Sequence, residues 1–410
     1  MRKKTSCTRS SLAERLAVRR RKKLNRRTWC LSNKMASIST RPSRTWAITF
    51  SSSGISAPLQ TIFFHYKRNT GFWQKGYKKN DQGKLRPRGT YAIINMDRIL
   101  MFKVINLPES LLNFIAHRPG AELSRIRSEA SRRCFYRISW GRKSLVAMVY
   151  PEPSRLEVDR FRTVQKIYRN HGLRVPGIEA ILDDQVVIQE DAGDLLLQRA
   201  WRASSMGERR RLLSACRDIL DKLAAIPPAL ATARLDRARQ KWEMDFFLRY
   251  FFPRYPVRGC TAADLGALLT MLIESLEAEC VFAHRDFHSR NLLVHEGGIV
   301  IVDFQDSLLA PRHYDLVSLA FDSYLDLGRF RELLLSGHES ATNELRQLRL
   351  TALQRNIKAL GTFAYQTHEC QHPAYGRYIP RTIRHIQGHL QELASAEFEV
   401  FTRYFSALSK

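Results

Sequence analysis

The stretch His284-Arg285-Asp286-Phe287-His288-Ser289-Arg290-Asn291 runs through Leu292–Val302 into Asp303-Phe304-Gln305-Asp306, and its reading decides the fold. An Asp, an Asn five positions later and a second Asp closing a strand form the set that phosphoryl transfer needs. One carboxylate accepts a proton from the attacking hydroxyl, while an amide and a second carboxylate hold a metal on the nucleotide phosphates. Asp286 is the expected base; a loose transition state asks it mainly to orient the hydroxyl and take its proton late. Asn291 and Asp303 are the expected metal ligands, hard oxygen donors suited to Mg2+. Leu292–Val302 reads as a hairpin with Gly297-Gly298 at its turn, which folds Asp303 back beside Asn291. His284 and Arg285 are expected to support the loop.

Downstream, Pro311-Arg312-His313-Tyr314-Asp315 opens a helix, and Asp315 is expected to accept hydrogen bonds from the loop backbone. Asp306 lies nearer the reacting groups and is a candidate for substrate or a second metal. Upstream, helical spacing covers roughly 195–202, 207–226, 236–252 and 261–279. The third of these contains Trp242-Glu243-Met244-Asp245-Phe246-Phe247. Its aromatics read as core, and Glu243 and Asp245 are candidates for gripping substrate hydroxyls.

Before these helices the pattern changes. Leu111–Ile126 reads as a helix broken near Pro119-Gly120, followed by strands at 133–140 and 144–150 around Gly141-Arg142-Lys143. The small-residue run Ser128-Glu129-Ala130-Ser131 enters the first strand where a loop could cover phosphates with backbone N–H groups, and Ser131 is its candidate contact. The second strand should carry a lysine for the nucleotide's phosphates, yet Met148 stands there. Arg132, Arg133, Arg137 or Lys143 could substitute, or binding could lean on backbone and metal. A helix over Glu157–Asn170 places Glu157 as a possible support for such a cation, or as a solvated surface residue. Val186–Gln189 then reads as a buried strand running into Glu190-Asp191, a hinge whose main chain would meet the adenine edge.

Composition narrows the alternatives. The 410 residues are 44% hydrophobic, enough for a sizeable core. Net charge is +28, but residues 1–100 hold 24 Lys and Arg against 3 acidic residues, whereas the remaining 310 carry a net of only +7. The excess therefore belongs to the N-terminal quarter and says little about substrate. That quarter admits three readings: a basic, disordered arm for nucleic acid or anionic lipid, an organellar transit segment, or sequence ahead of a true start at Met96 or Met101. Seven scattered cysteines without a CxxC pair point to reduced thiols in a cytoplasmic protein. No apolar run approaches a membrane span.

HRDFHSRNLLV (284–294), IVDFQDSLLAPRHYDLVSLAFDSY (301–324), KWEMDFF (241–247), RNIKALGTFAYQ (355–366) and RYIPRT (377–382) resemble the aminoglycoside phosphotransferase/choline kinase superfamily, over about 108–410. Within it the chain is similar to the bacterial anomeric amino-sugar kinases, which phosphorylate N-acetylmuramate and N-acetylglucosamine at C1 in cell-wall recycling. The resemblance implies an α+β, two-lobed protein-kinase-like fold. Its small mixed α/β lobe would span 105–192 and its mainly helical lobe 193–410. It also implies ATP and Mg2+ as cofactors, a small-molecule sugar as partner and no nucleic acid. Met148 matches the family's hydrophobic residue at that strand position. Phe321 stands where the relatives have Arg, and Ala192 where their hinge usually reads DLGD, so the exact sugar is the open point. The alternatives are another small hydroxyl acceptor (an aminoglycoside, choline or a homoserine-like compound), and a nucleic-acid- or membrane-binding protein on a kinase-like scaffold.

Overall fold

The computed structural model describes residues 107–126, 132–276, 279–338 and 342–408, together with four strands nearer the N-terminus. Those strands are Ser43–Phe50 (β1), Gln60–Lys67 (β2), Gln74–Lys79 (β3) and Leu85–Tyr91 (β4), in a unit that ends at Asn106. They pair antiparallel, β1 with β2 and β3 with β4. The second unit runs from Leu107 to Lys410 and carries all the motifs quoted above.

This unit opens with a short helix, Glu109–Ala116 (α1), which buries Leu111, Leu112 and Ile115. The sequence suggests a helix to Ile126, but the chain reverses at Gly120, whose φ of +73° suits only glycine without strain. Glu122–Ile126 becomes strand β5 instead. Its whole length pairs antiparallel with Cys134–Trp140 (β6), from Glu122 opposite Ser139 to Ile126 opposite Phe135. Cross-strand pairing overrides local spacing here. Lys143–Val149 (β7), Ile178–Leu182 (β8) and Val186–Glu190 (β9) complete a five-stranded sheet in the order β5-β6-β7-β9-β8. Its neighbours are antiparallel throughout. Ala147, Met148, Val187 and Ile188 are buried at its centre.

Between β7 and β8 lies helix Arg155–Asn170 (α2), capped by the Ser154 side chain accepting from the Glu157 backbone N–H. Val158, Phe161, Val164 and Tyr168 recur every three or four residues and form its buried stripe. That stripe locks the turn after Asp303. Phe161 stacks against Phe304 with ring centroids 4.9 Å apart, and the Tyr168 hydroxyl meets Ser307 Oγ at 2.8 Å. Each buried aromatic of this kind contributes about 1.5–3 kcal/mol.

The larger lobe is mainly helical. Leu197–Ala203 (α3), Met206–Ala224 (α4), Arg237–Phe246 (α5) and Ala262–Glu274 (α6) occupy the stretches with helical spacing. Capping boxes start two of them, Ser205 with Glu208 and Thr261 with Asp264. The third stretch does not stay regular to 252. It widens over Phe247–Phe251 into turns with i→i+5 bonding, then tightens through Phe252-Pro253-Arg254, where the proline ring cannot continue a helix.

The catalytic-motif segment forms two small ladders: Cys280–Ala283 (β10) with Leu308–Pro311 (β13), and Leu292–His295 (β11) with Gly298–Ile301 (β12). The hairpin turn falls on Glu296-Gly297 and not on Gly297-Gly298. Both Glu296 (φ +48°) and Gly297 (φ +73°) are left-handed, the geometry that matches strand twist in a two-residue loop. Tyr314–Ala320 (α7), Phe330–Leu335 (α8), Thr342–Ala364 (α9), Ile379–Leu393 (α10) and Glu399–Ala407 (α11) complete the lobe.

One glycine sets how closely α9 approaches the residues after α5. A Cβ on Gly361 would sit 2.8 Å from Phe247 N and 3.0 Å from its Cα, both backbone atoms that cannot swing away. Gly361 lies one turn beyond Lys358, so this close approach carries Lys358 toward Glu243 on α5. Gly361→Ala is expected to cost about 1–3 kcal/mol as an overpacked helix contact. Urea unfolding of the two proteins measures it, and equal midpoints would contradict the packing account. No described helix is long and apolar enough to cross a membrane.

Candidate active site

Residues 284–291 are held from behind by two buried carboxylates. Asp315, at the start of α7, accepts the backbone N–H of His284 through Oδ2 and that of Arg285 through Oδ1. Burial pushes its carboxyl up to about 6, against the pull of His284 and of these two N–H groups. Asp322 accepts Ser289 N at 2.9 Å and Tyr324 N at 2.7 Å. Arg285 is left-handed at φ +77°, a conformation that a non-glycine residue keeps only where its surroundings insist. His284 is buried, meets the Val302 carbonyl through Nε2 at 3.0 Å and receives Asp286 N at Nδ1. It therefore ties the loop to the residue that precedes Asp303.

Asn291 closes the loop. Its side-chain Nδ2 donates to the Asp286 carbonyl at 3.0 Å, and its own carbonyl accepts Val302 N at 3.0 Å. Asp303 follows directly in a left-handed conformation (φ +63°, ψ 32°). The hairpin thus brings Asn291 and Asp303 to one place. Asp303 Oδ1 takes Arg133 Nη2 at 2.7 Å and Gln305 Nε2 at 3.0 Å, which leaves Oδ2. Asp306 pairs with Arg160 at 3.2 Å and accepts Gln305 Nε2.

The Asp286 side chain is about one third exposed, at 36%. Its Oδ1 lies 3.4 Å from Lys358 Nζ and 3.5 Å from Arg355 Nη2. Desolvation pushes its carboxyl up. Lys358, Arg355 and Arg285 together outweigh that and hold it well below the usual carboxylate range. Asp286 is thus an ionised acceptor among cations.

The expected substrate contacts on α5, Glu243 and Asp245, do not line the large cavity onto which Asp286 opens. Glu243 is 1% exposed and lies behind the loop, where Arg285 Nη2 reaches it at 2.8 Å, Lys358 Nζ at 3.5 Å and Gln354 Nε2 at 3.2 Å. It bridges Arg285 and Lys358, two of the three cations that hold the Asp286 carboxyl down, and does not line the large cavity onto which Asp286 opens. Asp245 is two residues on, so it projects from the far side of α5, paired with Lys241 at 3.3 Å. A small separate depression with Met244, Leu248 and Gly266 lies beside it.

Met148, Glu190, Asp191, Asp286, Asn291, Asp303 and Asp306 all line one large cleft. Ser131 lies outside the described residues. Met148 is buried at the cleft wall, and Glu190 pairs its backbone N–H with the Gly177 carbonyl. Arg137 Nε and Nη2 grip the Asp191 carboxylate at 2.6 and 2.9 Å, and the same guanidinium reaches Asp194. Asp191 therefore stiffens the segment by its side chain. Ala192 is buried between it and the left-handed Gly193. Phe321 is packed edge-on against His389 at 4.4 Å and lies under the guanidinium groups of Arg331 and Arg349.

Sequence reasoning left Lys358 and Arg355 without a role. They come from α9, three residues apart and hence on one helix face. The signal was two cations at helical spacing within the RNIKALGTFAYQ stretch. It also left the arginines and tyrosines of the cleft's far end. There Arg290 lies over Tyr324 (4.8 Å) and Tyr378 (5.9 Å), Arg377 lies over Tyr378, and Arg381 donates to the Ser323 carbonyl. Among the described residues, Asp286 and the backbone-bound Asp322 are the carboxylates that line the cleft beside them.

A model of the phosphotransferase enzyme family matches residues 122–350, more than half of the chain. The N-acetylmuramate/N-acetylglucosamine kinase of Pseudomonas aeruginosa is 29% identical over 287 residues, 66% of this chain and 84% of that protein. The protein of the same name from Neisseria meningitidis serogroup B is 25% identical over 280 residues, 63% and 83% respectively. Among solved structures, ADP-bound aminoglycoside phosphotransferase APH(2'')-Ib superposes with a TM-score of 0.50 at 14% identity, over 68% of this chain and 98% of that one. That last likeness is one of fold, a small sheet-based lobe and a helical lobe.

Proposed function

Since this chain belongs to the phosphotransferase enzyme family, we propose that it transfers the terminal phosphate of ATP to the anomeric hydroxyl of N-acetylmuramate or N-acetylglucosamine, with Mg2+. The observation that carries the chemistry is Asp286, an ionised carboxylate open to the cleft that also holds Asn291 and Asp303. Asp286 orients the acceptor hydroxyl and takes its proton as the bond to phosphorus forms. Lys358 and Arg355 fix that carboxylate, and Glu243 fixes Lys358 in turn. The Asn291 amide oxygen and Asp303 Oδ2 suit a hard cation, because both are oxygen donors and the bonds to Arg133 and Gln305 occupy Oδ1 alone. Mg2+, when bound, neutralises charge on the phosphate oxygens.

The amino-sugar acceptor is supported by two things: the names of the curated relatives, and the basic, aromatic character of the far end of the cleft. Tyr324 and Tyr378 add aromatic surface to the cleft lining, and Arg290 and Arg377 suit a carboxylate such as that of the muramate lactyl group. A cationic aminoglycoside or choline would instead ask for surplus carboxylates there. An ATP-consumption panel of N-acetylmuramate, N-acetylglucosamine, aminoglycosides, choline and homoserine tests this, and turnover confined to the cationic acceptors would overturn it. Arg377→Ala is expected to raise KM for N-acetylmuramate by about tenfold or more, the scale of a charge-assisted hydrogen bond, and to change KM for the uncharged N-acetylglucosamine far less. Equal effects on both sugars would remove Arg377 from carboxylate recognition.

A further inference from the structure

We infer that Arg133 supplies the small-lobe cation for the nucleotide phosphates, exchanging its contact with Asp303 for the phosphates when nucleotide and metal bind. The inference rests on the reading of the cleft as a nucleotide site.

The strand that should present a lysine presents Met148, a thioether that offers only a weak acceptor and no charge. A cation is nonetheless at that spot. Arg133 enters from just before β6 with its side chain 16% exposed, and its Nη1 lies 3.4 Å from Met148 Sδ. The same guanidinium reaches across the cleft, where Nη2 meets Asp303 Oδ1 at 2.7 Å. It therefore spans from the strand position where a phosphate-binding lysine is expected to a carboxylate expected to hold the metal. Phosphates held by a metal on Asp303 would lie within reach of this guanidinium.

The other candidate cations are placed differently. Arg137 spends its guanidinium on Asp191 and Asp194 through four hydrogen bonds of 2.6–2.9 Å. Lys143 sits at the exposed hairpin end opposite Trp140 and does not line the cleft. Arg132 lines the cleft but is exposed and has no contact with Met148 or Asp303 among the described residues.

An arginine suits an exchange of this kind. Its planar fork binds two phosphate oxygens at once, as it does a carboxylate, so one rotation replaces one anionic partner by another. As long as Arg133 lies on Asp303 it also occupies an oxygen of that carboxylate and balances its charge. Nucleotide with metal then releases both groups together, and metal-free nucleotide gains less because Asp303 still holds the arginine.

The test is nucleotide affinity by calorimetry on the full chain, with ATP in the presence and absence of Mg2+. Arg133→Met is expected to weaken ATP–Mg2+ binding by about 10- to 100-fold, the scale of a lost charge-assisted phosphate contact. Adding Met148→Lys to that variant is expected to restore most of the affinity by returning a cation to the strand. Lys143→Met is expected to bind as the wild type does. The Arg133–Asp303 pair is half open to solvent on the carboxylate side, so thermal unfolding should change little and serves to exclude a folding defect. Wild-type binding of ATP with unchanged affinity in Arg133→Met overturns this inference alone, as does a loss seen in Arg132→Ala but not in Arg133→Met. No ATP binding by the wild type overturns the nucleotide reading itself.

Discussion

Asp286→Asn is expected to lower kcat by about 10²- to 10⁴-fold, the range for loss of a positioned general base, while ATP affinity stays near the wild-type value. The substitution keeps size and hydrogen-bonding shape but removes the charge that Lys358 and Arg355 converge on at 3.4 and 3.5 Å. An amide there cannot take the proton and holds the acceptor hydroxyl more weakly. The proposed nucleotide contacts lie elsewhere, at Asn291, Asp303 and the small lobe, so the loss should fall on kcat and not on nucleotide binding. The readout is steady-state turnover beside calorimetric ATP binding. Retained kcat would remove Asp286 from the chemistry, whatever the acceptor.

The second large effect is on stability. Glu243→Ala is expected to cost about 3–5 kcal/mol, because it leaves Arg285 and Lys358 buried against each other without their shared carboxylate. Burial pushes the Glu243 carboxyl up, but Lys358 and Arg285 outweigh it and hold the net value below the ordinary 4.5. The sign follows from that depression. The folded state binds its proton less readily than the unfolded chain, so the stabilisation is fully present above about 4.5 and lost as pH falls through the lower folded value. The stability gap between the wild type and Glu243→Gln should therefore narrow on acidification below that point. Urea unfolding across a pH series measures it. A Glu243→Ala protein of native stability with a raised sugar KM would return Glu243 to the role of a substrate contact.

The buried position of Glu243 shows what was legible in the sequence and what was not. The spacing Asp286, Asn291, Asp303 was readable because all three lie on one loop and one hairpin, so local geometry alone brings them together. Strands β6, β7 and β9 and the helices from α2 to α7 followed from period and turn residues for the same reason. Glu243 and Asp245 looked alike as acidic residues in one aromatic helix, yet two positions on a helix separate a buried ion-pair hub from a solvent-facing pair with Lys241. Only the packing of α9 against α5, allowed by Gly361, decides which face is inside. Lys358 and Arg355 escaped notice because they join Asp286 from about 70 residues away in sequence. The strand Glu122–Ile126 was misread because its partner, and not its own spacing, makes it a strand. The Arg133 contact likewise depends on a pairing across the cleft that no short window of sequence contains.

The most direct test of the account is phosphorus NMR of the product formed from ATP, Mg2+ and N-acetylmuramate. The account predicts one sugar phosphate, with its phosphorus coupled to the anomeric proton and formed in equal amount to ADP, and none from the Asp286→Asn protein in the same time. Phosphate on any other hydroxyl, or ADP released with free phosphate and no sugar phosphate, would contradict it.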